Sequence, residues 1–376
     1  MKQRLNGLDA LRGVMMLLGI VVHSAATFCT LKVFPWPLKD PDGSPFFDYL
    51  VLFIHAFRMP LFFVLAGFFA RLMLIHKGLA HTISNRFRRI VLPFAAGLLI
   101  IIPLVVISID RYGRQMRWNE IREQITTLHI YYHLKTAHLW FLYYLILIYI
   151  PFFIIAALRP GIVLLCCRYT VSWYARHASR PMAIVSLLSL ISFLALLPLH
   201  SGMIDSSITF YPDPGLLFIY SIYFAFGVIL YSFNTTLPRV FSAWKTHLLA
   251  GALLSVAYYY FFSVSVGPSG GDRYVMLATA LCAAISWFMI YGLTGLFLYH
   301  FSQPSPQMQY LARASYWIYI THLPITIVLG GMLTRYPWPA ILKFAIIVIA
   351  TFTILIILYR LFVARTFIGH FLNGRK

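Results

Sequence analysis

Carboxylates are the scarcest functional groups in this chain. Asp and Glu number 10 against 30 Lys and Arg across 376 residues, and span interiors hold almost none of them. That argues against a proton relay built from membrane-buried carboxylates. Charge of either sign is thin, at 11% of residues, while 61% are hydrophobic and the mean hydropathy is +0.81. A soluble globule could not cover its surface with so few charges. Cys29, Cys166, Cys167 and Cys282 show no CxxC spacing, so the sequence carries no disulfide or zinc framework. No GxSxG elbow, Walker loop or DHHC string occurs either.

What is present is apolar length. Runs near the ~20 residues that a helix needs to cross a bilayer recur along the whole chain. Ten spans are expected, at about 8–31, 46–75, 90–109, 137–158, 182–199, 213–232, 247–264, 275–299, 314–333 and 340–362. The fold class is thus an all-α polytopic membrane protein. With short connections between the spans, residues 1–376 read as one integral-membrane domain. Lys2 and Arg4 ahead of an apolar stretch with Ser24-Ala25-Ala26 imitate a signal peptide, but further spans follow at once, so an uncleaved first helix is expected.

The net charge of +20 follows the same topology. Even-numbered connections and both tails carry more Lys and Arg than the odd-numbered ones, including Lys77, Arg86, Arg88, Arg89, Arg159, Arg239 and Lys245. This bias places both termini in the cytoplasm and replaces a nucleic-acid reading of the charge. The basic segment 110–135 breaks the pattern. Its Arg111, Tyr112, Arg114, Arg117 and Trp118 suit an interfacial helix on lipid headgroups, or an acceptor-binding surface.

The first span holds the main signal, because Asp9, Arg12 and His23 interrupt an otherwise apolar or small-residue helix. Arg12 and His23 are eleven residues apart, so they share a face within about 20° and lie roughly 16 Å apart along the axis. Ionisable groups inside a span usually face a protein interior or a watery cavity. Asp9 is placed to pair with Arg12 as a structural partner. His55 and Arg58 neighbour each other on the second span, and Arg58 needs a partner or water; Asp9 and Asp48 are the candidate carboxylates. It serves either as half of a structural pair or as a substrate clamp. His138, with Trp140 beside it, opens the fourth span, and His322 lies in the ninth. The Arg86-Phe87-Arg88-Arg89 cluster reads as an orientation and headgroup signal or as a phosphate site. His129 and His133 have i,i+4 spacing but no supporting ligand nearby, so no metal is expected.

These strings resemble the membrane-bound acyltransferase family 3. Asp9-Ala10-Leu11-Arg12-Gly13 through His23 resembles its first-span pattern. Phe62-Phe63-Val64-Leu65-Ala66-Gly67 resembles its FFxxSG, with alanine where serine is commoner. Arg86 to Pro93 resembles its basic entry to the third span, and Ser315 to His322 its SYxIYxxH. Ile54 to Met59 and His138 to Leu142 are similar to strings of the family's glucan succinyltransferases. The resemblance implies a bacterial inner-membrane enzyme with acyl-CoA, succinyl-CoA in that branch, as co-substrate and a periplasmic glucan as acceptor. Arg86, Arg88 and Arg89 would meet the donor's phosphates, with Arg12 deeper. His23 would act as general base, and His55, Arg58 or His322 would stabilise the oxyanion, with His138 and Trp140 at the substrate. Rival readings are an O-acetyltransferase of lipopolysaccharide or another envelope glycan, a relay through a covalent acyl-histidine, and a transporter that makes no bond.

Overall fold

The computed structural model describes residues 6–32, 36–131, 135–159 and 181–373. Lys2, Arg4, His133, Cys166 and Cys167 lie outside them. Among the described residues, ten helices are long and apolar enough to cross a membrane. In chain order they are α1 (Asn6–Phe28), α2 (Pro45–Lys77), α3 (Leu79–Gly113), α5 (Ala137–Leu158), α6 (Pro181–Leu199), α7 (Pro214–Phe233), α8 (Trp244–Ser265), α9 (Asp272–His300), α10 (Pro306–Leu333) and α11 (Ala340–Val363). A short helix, α4 (Trp118–Thr126), lies between α3 and α5, within the basic segment.

Helix starts follow local chemistry. Ser44, Asp213 and Ser305 each accept a hydrogen bond from a first-turn backbone N–H, and each is followed by proline at the first helical position. That pairing satisfies an orphan donor while fixing φ in the helical range. It starts α10 at Pro306 rather than near residue 314, because the polar first two turns, Gln307 to Arg313, remain helical. α3 likewise begins at Leu79 and not near residue 90, so Arg86, Arg88 and Arg89 sit within a helix instead of at its entrance. A π-turn at Phe87–Val91 carries two of these arginines.

Burial separates central helices from those at the rim. In the most apolar window of α2 and of α9, 78% of residues are buried, against 22% in α6, α8 and α11. α1 packs on α10, α2, α9 and α11, while α2 also packs on α7 and α9. α2 and α7 cross through two glycines. A Cβ at Gly67 would collide with the Phe224 carbonyl, and one at Gly227 with the Val64 carbonyl. Only a bare backbone permits this approach. Gly67→Val is therefore expected to cost at least the roughly 1–3 kcal/mol of an overpacked core. A clear drop in the thermal midpoint of the detergent-solubilised protein is the check.

One buried ion pair and one buried carboxylate fix the loop between α1 and α2. Lys343 Nζ lies 2.6 Å from Asp40, with both side chains almost fully buried. Asp40 N–H donates to the Thr27 carbonyl, and Ser44 N–H to that of Phe28. Asp48 accepts from the backbone N–H groups of Thr30 and Leu31, both at 3.0 Å. Asp9 pairs with Arg12 at 3.3 Å. The expected carboxylate partner for Arg58 is thus corrected: both candidates are engaged elsewhere. Arg71, a buried arginine that hydropathy passes over, donates to the Val228 carbonyl and Ser232 and ties α2 to α7.

Candidate functional site

Four helices bring the histidines together. α1 contributes His23, α2 His55 and Arg58, α5 His138 and Trp140, and α10 Tyr319 and His322, all lining one cavity of about 750 Å³. From the buried histidines the cavity runs to Lys135 and Arg114, which are exposed. Asp110 also borders it, buried and paired with Arg114 at 2.8 Å.

Three imidazoles form a row. The His23 and His322 ring centres are 5.2 Å apart, as are those of His322 and His138. The backbone sets the tautomers of two of them, since a carbonyl only accepts. His322 Nδ1–H donates to the Tyr319 carbonyl at 2.8 Å, which leaves Nε2 bare and without a partner among the described residues. His138 Nε2–H donates to the Ile320 carbonyl at 2.9 Å, leaving Nδ1 in the same state. His23 is held instead by stacking: its ring lies 5.4 Å from Trp36 with 21° between planes. Trp36 Nε1–H in turn donates to Thr27 Oγ1, one helical turn along from His23. The loop clamped by Lys343 and Asp40 therefore supplies one wall at His23. Trp36 carried no motif, and its role depends on a loop conformation that hydropathy and spacing do not encode.

Arg58 lies beside this row. It is 8% exposed, makes no ion pair among the described residues, and has Nε without a partner. A buried guanidinium left in this way favours an anion placed beside it. Space for one is the cavity that Gly19, Arg58 and His322 line together, and glycine keeps it clear: a Cβ there would crowd Arg58 Nη1 at 3.1 Å and His322 Nε2 at 3.5 Å. A guanidinium facing cavity space in this way can meet a developing negative charge, which is the role of an oxyanion hole. His55, the other predicted residue on α2, lies against the backbone of Ile204 with Nε2 unpartnered.

The predicted arginines gather elsewhere. Arg12, Arg86 and Arg89 line a second, smaller cavity of about 140 Å³ toward the N-terminal end of α1. The Arg86 guanidinium lies over the Tyr149 ring at 5.5 Å, and that of Arg12 over Phe69 at 5.7 Å. Tyr316 donates its hydroxyl to the Arg89 carbonyl. Arg88 is exposed and borders neither cavity, which corrects its grouping with Arg86 and Arg89: residues two and one positions away on a helix face elsewhere. Arg12 and His23 share a helix side but border separate spaces. Three guanidiniums around one small cavity, with Asp9 as the carboxylate ion-paired there, suit a polyanion such as a phosphate group. Among the described residues no cluster of metal-ligating side chains occurs.

The acyltransferase domain of family 3 matches residues 5–360. Proteins named glucans biosynthesis protein C are similar over 94% of this chain and 90% of their own length. The one from Salmonella typhi is 24% identical, as is that of Salmonella typhimurium, and the one from Salmonella paratyphi A is 25% identical. No solved structure matches.

Proposed function

The chain belongs to acyltransferase family 3, and from that premise we propose that it carries an acyl group, in our reading succinyl, from cytoplasmic acyl-CoA to hydroxyls of a periplasmic glucan. The observation that carries this reading is the shared side of α1, with a guanidinium cavity at one end and an imidazole cavity at the other. The distribution of Lys and Arg supports cytoplasmic termini, hence an inner-membrane protein whose arginine cavity faces the donor. The printed names of the Salmonella relatives support the choice of glucan.

In this reading the donor's phosphates rest at Arg12, Arg86 and Arg89, and its thioester arm extends toward His23. An acceptor hydroxyl enters past Lys135 and Arg114. Its oxygen attacks the thioester carbonyl while His23 takes its proton. The carbonyl oxygen, now negative, occupies the space at Gly19 beside Arg58. Collapse of that adduct breaks the carbon–sulfur bond, and His23 returns the proton to the departing thiolate. Ester and CoA thiol are the products. His322 and His138 extend the row, with bare nitrogens that accept hydrogen bonds from the hydroxyl or from His23.

Purified protein supplied with radiolabelled succinyl-CoA and a glucan should yield labelled, alkali-sensitive ester on the glucan. Labelled ester obtained only with acetyl-CoA, or only on lipopolysaccharide, would reassign donor or acceptor. Net movement of label across a vesicle wall with no ester formed would overturn the enzymatic reading in favour of a carrier.

A further inference from the structure

Donor phosphates and reacting carbonyl belong, in the reading above, to one molecule, yet their two cavities have no lining residue in common. The barrier between them is thin. On α1 the last residue bordering the arginine cavity is Met16 and the first bordering the histidine cavity is Gly19. On α2 the pair is Phe62 and Met59, on α5 Phe141 and Trp140, and on α10 Tyr316 and Tyr319. On three of the helices this is a three-residue step, about 4.5 Å of helix rise, and on α5 it is a single residue. One layer of side chains thus closes the path on all four helices at the same level.

Two rings make up the middle of that layer. Phe141 packs against Phe62 at 5.3 Å and Phe63 at 5.1 Å and borders only the smaller cavity. Tyr319 differs. Its ring stacks on Tyr316 on the arginine side and meets His138 at 5.9 Å and His322 at 6.4 Å on the other. It also meets Phe141 edge-on at 6.3 Å. Its hydroxyl is held by a single hydrogen bond, donated to the His138 carbonyl at 2.9 Å. A ring that borders the large cavity and is latched by one bond has cavity space on that side to turn into.

We propose that Tyr319 is the movable partition through which the thioester arm reaches the imidazole row. With no donor bound it stands across the path and keeps water of the open cavity away from the arginine side. When the arm enters, the ring turns aside and the arm takes its place. Tyr319 is therefore a positioning residue, and it decides whether the thioester meets a hydroxyl or water. In the unwanted reaction water attacks the same carbonyl, the carbon–sulfur bond breaks, and free carboxylic acid and CoA thiol leave.

Two readouts test this, one of them independent of activity. In a protein lacking its native cysteines, Val22→Cys places a thiol on the wall of the histidine cavity. A small impermeant thiol reagent applied from the arginine side should label it slowly with Tyr319 present. Tyr319→Ala, or Tyr319→Leu if alanine folds poorly, should speed that labelling at least about tenfold, the partition being what excludes bulk reagent and water. Labelling from the opposite side should stay unchanged, which also reports correct folding. Equal rates from the arginine side with and without the tyrosine ring would overturn the proposal. The second readout is acceptor-free hydrolysis of acyl-CoA, which should rise in Tyr319→Ala relative to ester formation. Tyr319→Phe, which keeps the ring and loses the latch, should fall between. If the unsubstituted protein forms no ester at all, the acyl-transfer reading fails by itself, while the labelling rates still decide the partition.

Discussion

Alanine in place of His23 is expected to lower ester formation by roughly 10²–10⁴-fold, the range that a positioned general base contributes. Donor binding should persist, because Arg12, Arg86 and Arg89 line a separate cavity. The loss should appear in kcat with little change in the KM for acyl-CoA, the pattern of a group that acts only in the transition state. The protein should still insert and purify normally, since His23 makes no backbone hydrogen bond among the described residues and stacks only on Trp36 and His322. His322→Ala provides the comparison. Its Nδ1–H bond to the Tyr319 carbonyl anchors the ring within α10, so its removal alters the row without removing the proposed base. Normal glucan substitution by the His23 variant, measured by ester content per glucan, would reject the assignment.

The second large effect is expected at Arg58. Arg58→Met removes the one guanidinium bordering the space at Gly19 and should reduce kcat about 10²–10³-fold, as the loss of an oxyanion donor does. Gly19→Ala should act in the same direction with the arginine intact, since its methyl would fill the space 3.1 Å from Arg58 Nη1. Agreement of the two variants would tie the effect to that space. The stability change separates catalysis from structure. A buried charge without a carboxylate is costly in the resting protein, so Arg58→Met should leave the thermal midpoint unchanged or raise it. Arg71→Met should lower it, because that guanidinium satisfies the Val228 carbonyl and Ser232 between two packed helices.

These contrasts show which parts of the molecule were legible in sequence. Long apolar runs gave the ten spans directly, since a run of about 20 residues is the length of a spanning helix and about twice that of a barrel strand. Their ends were less visible where polar residues continue a helix. Asn85 to Arg89 and Gln307 to Arg313 lower local hydropathy, yet they stay helical because their arginines or caps have local partners. The alignment of Arg12 with His23 followed from helical period alone. The layer that crosses between them did not, because Phe141 and Tyr319 come from two other helices whose register spacing does not report. Nor could charge counting find the partners of Asp48, which turned out to be backbone N–H groups of Thr30 and Leu31. Lys343 belongs to no motif, and only the fold shows it closing on Asp40 to hold the loop of Trp36.

The most direct measurement is a structure of the protein bound to a non-hydrolysable succinyl-CoA analogue in nanodiscs. The account predicts phosphates within hydrogen-bonding distance of Arg86 or Arg89, the Tyr319 ring turned out of the path, and the acyl carbonyl beside Gly19 within reach of Arg58 and His23. Phosphates at Arg114 and Lys135 instead, or a carbonyl held on the arginine side of an unmoved Tyr319, would contradict it.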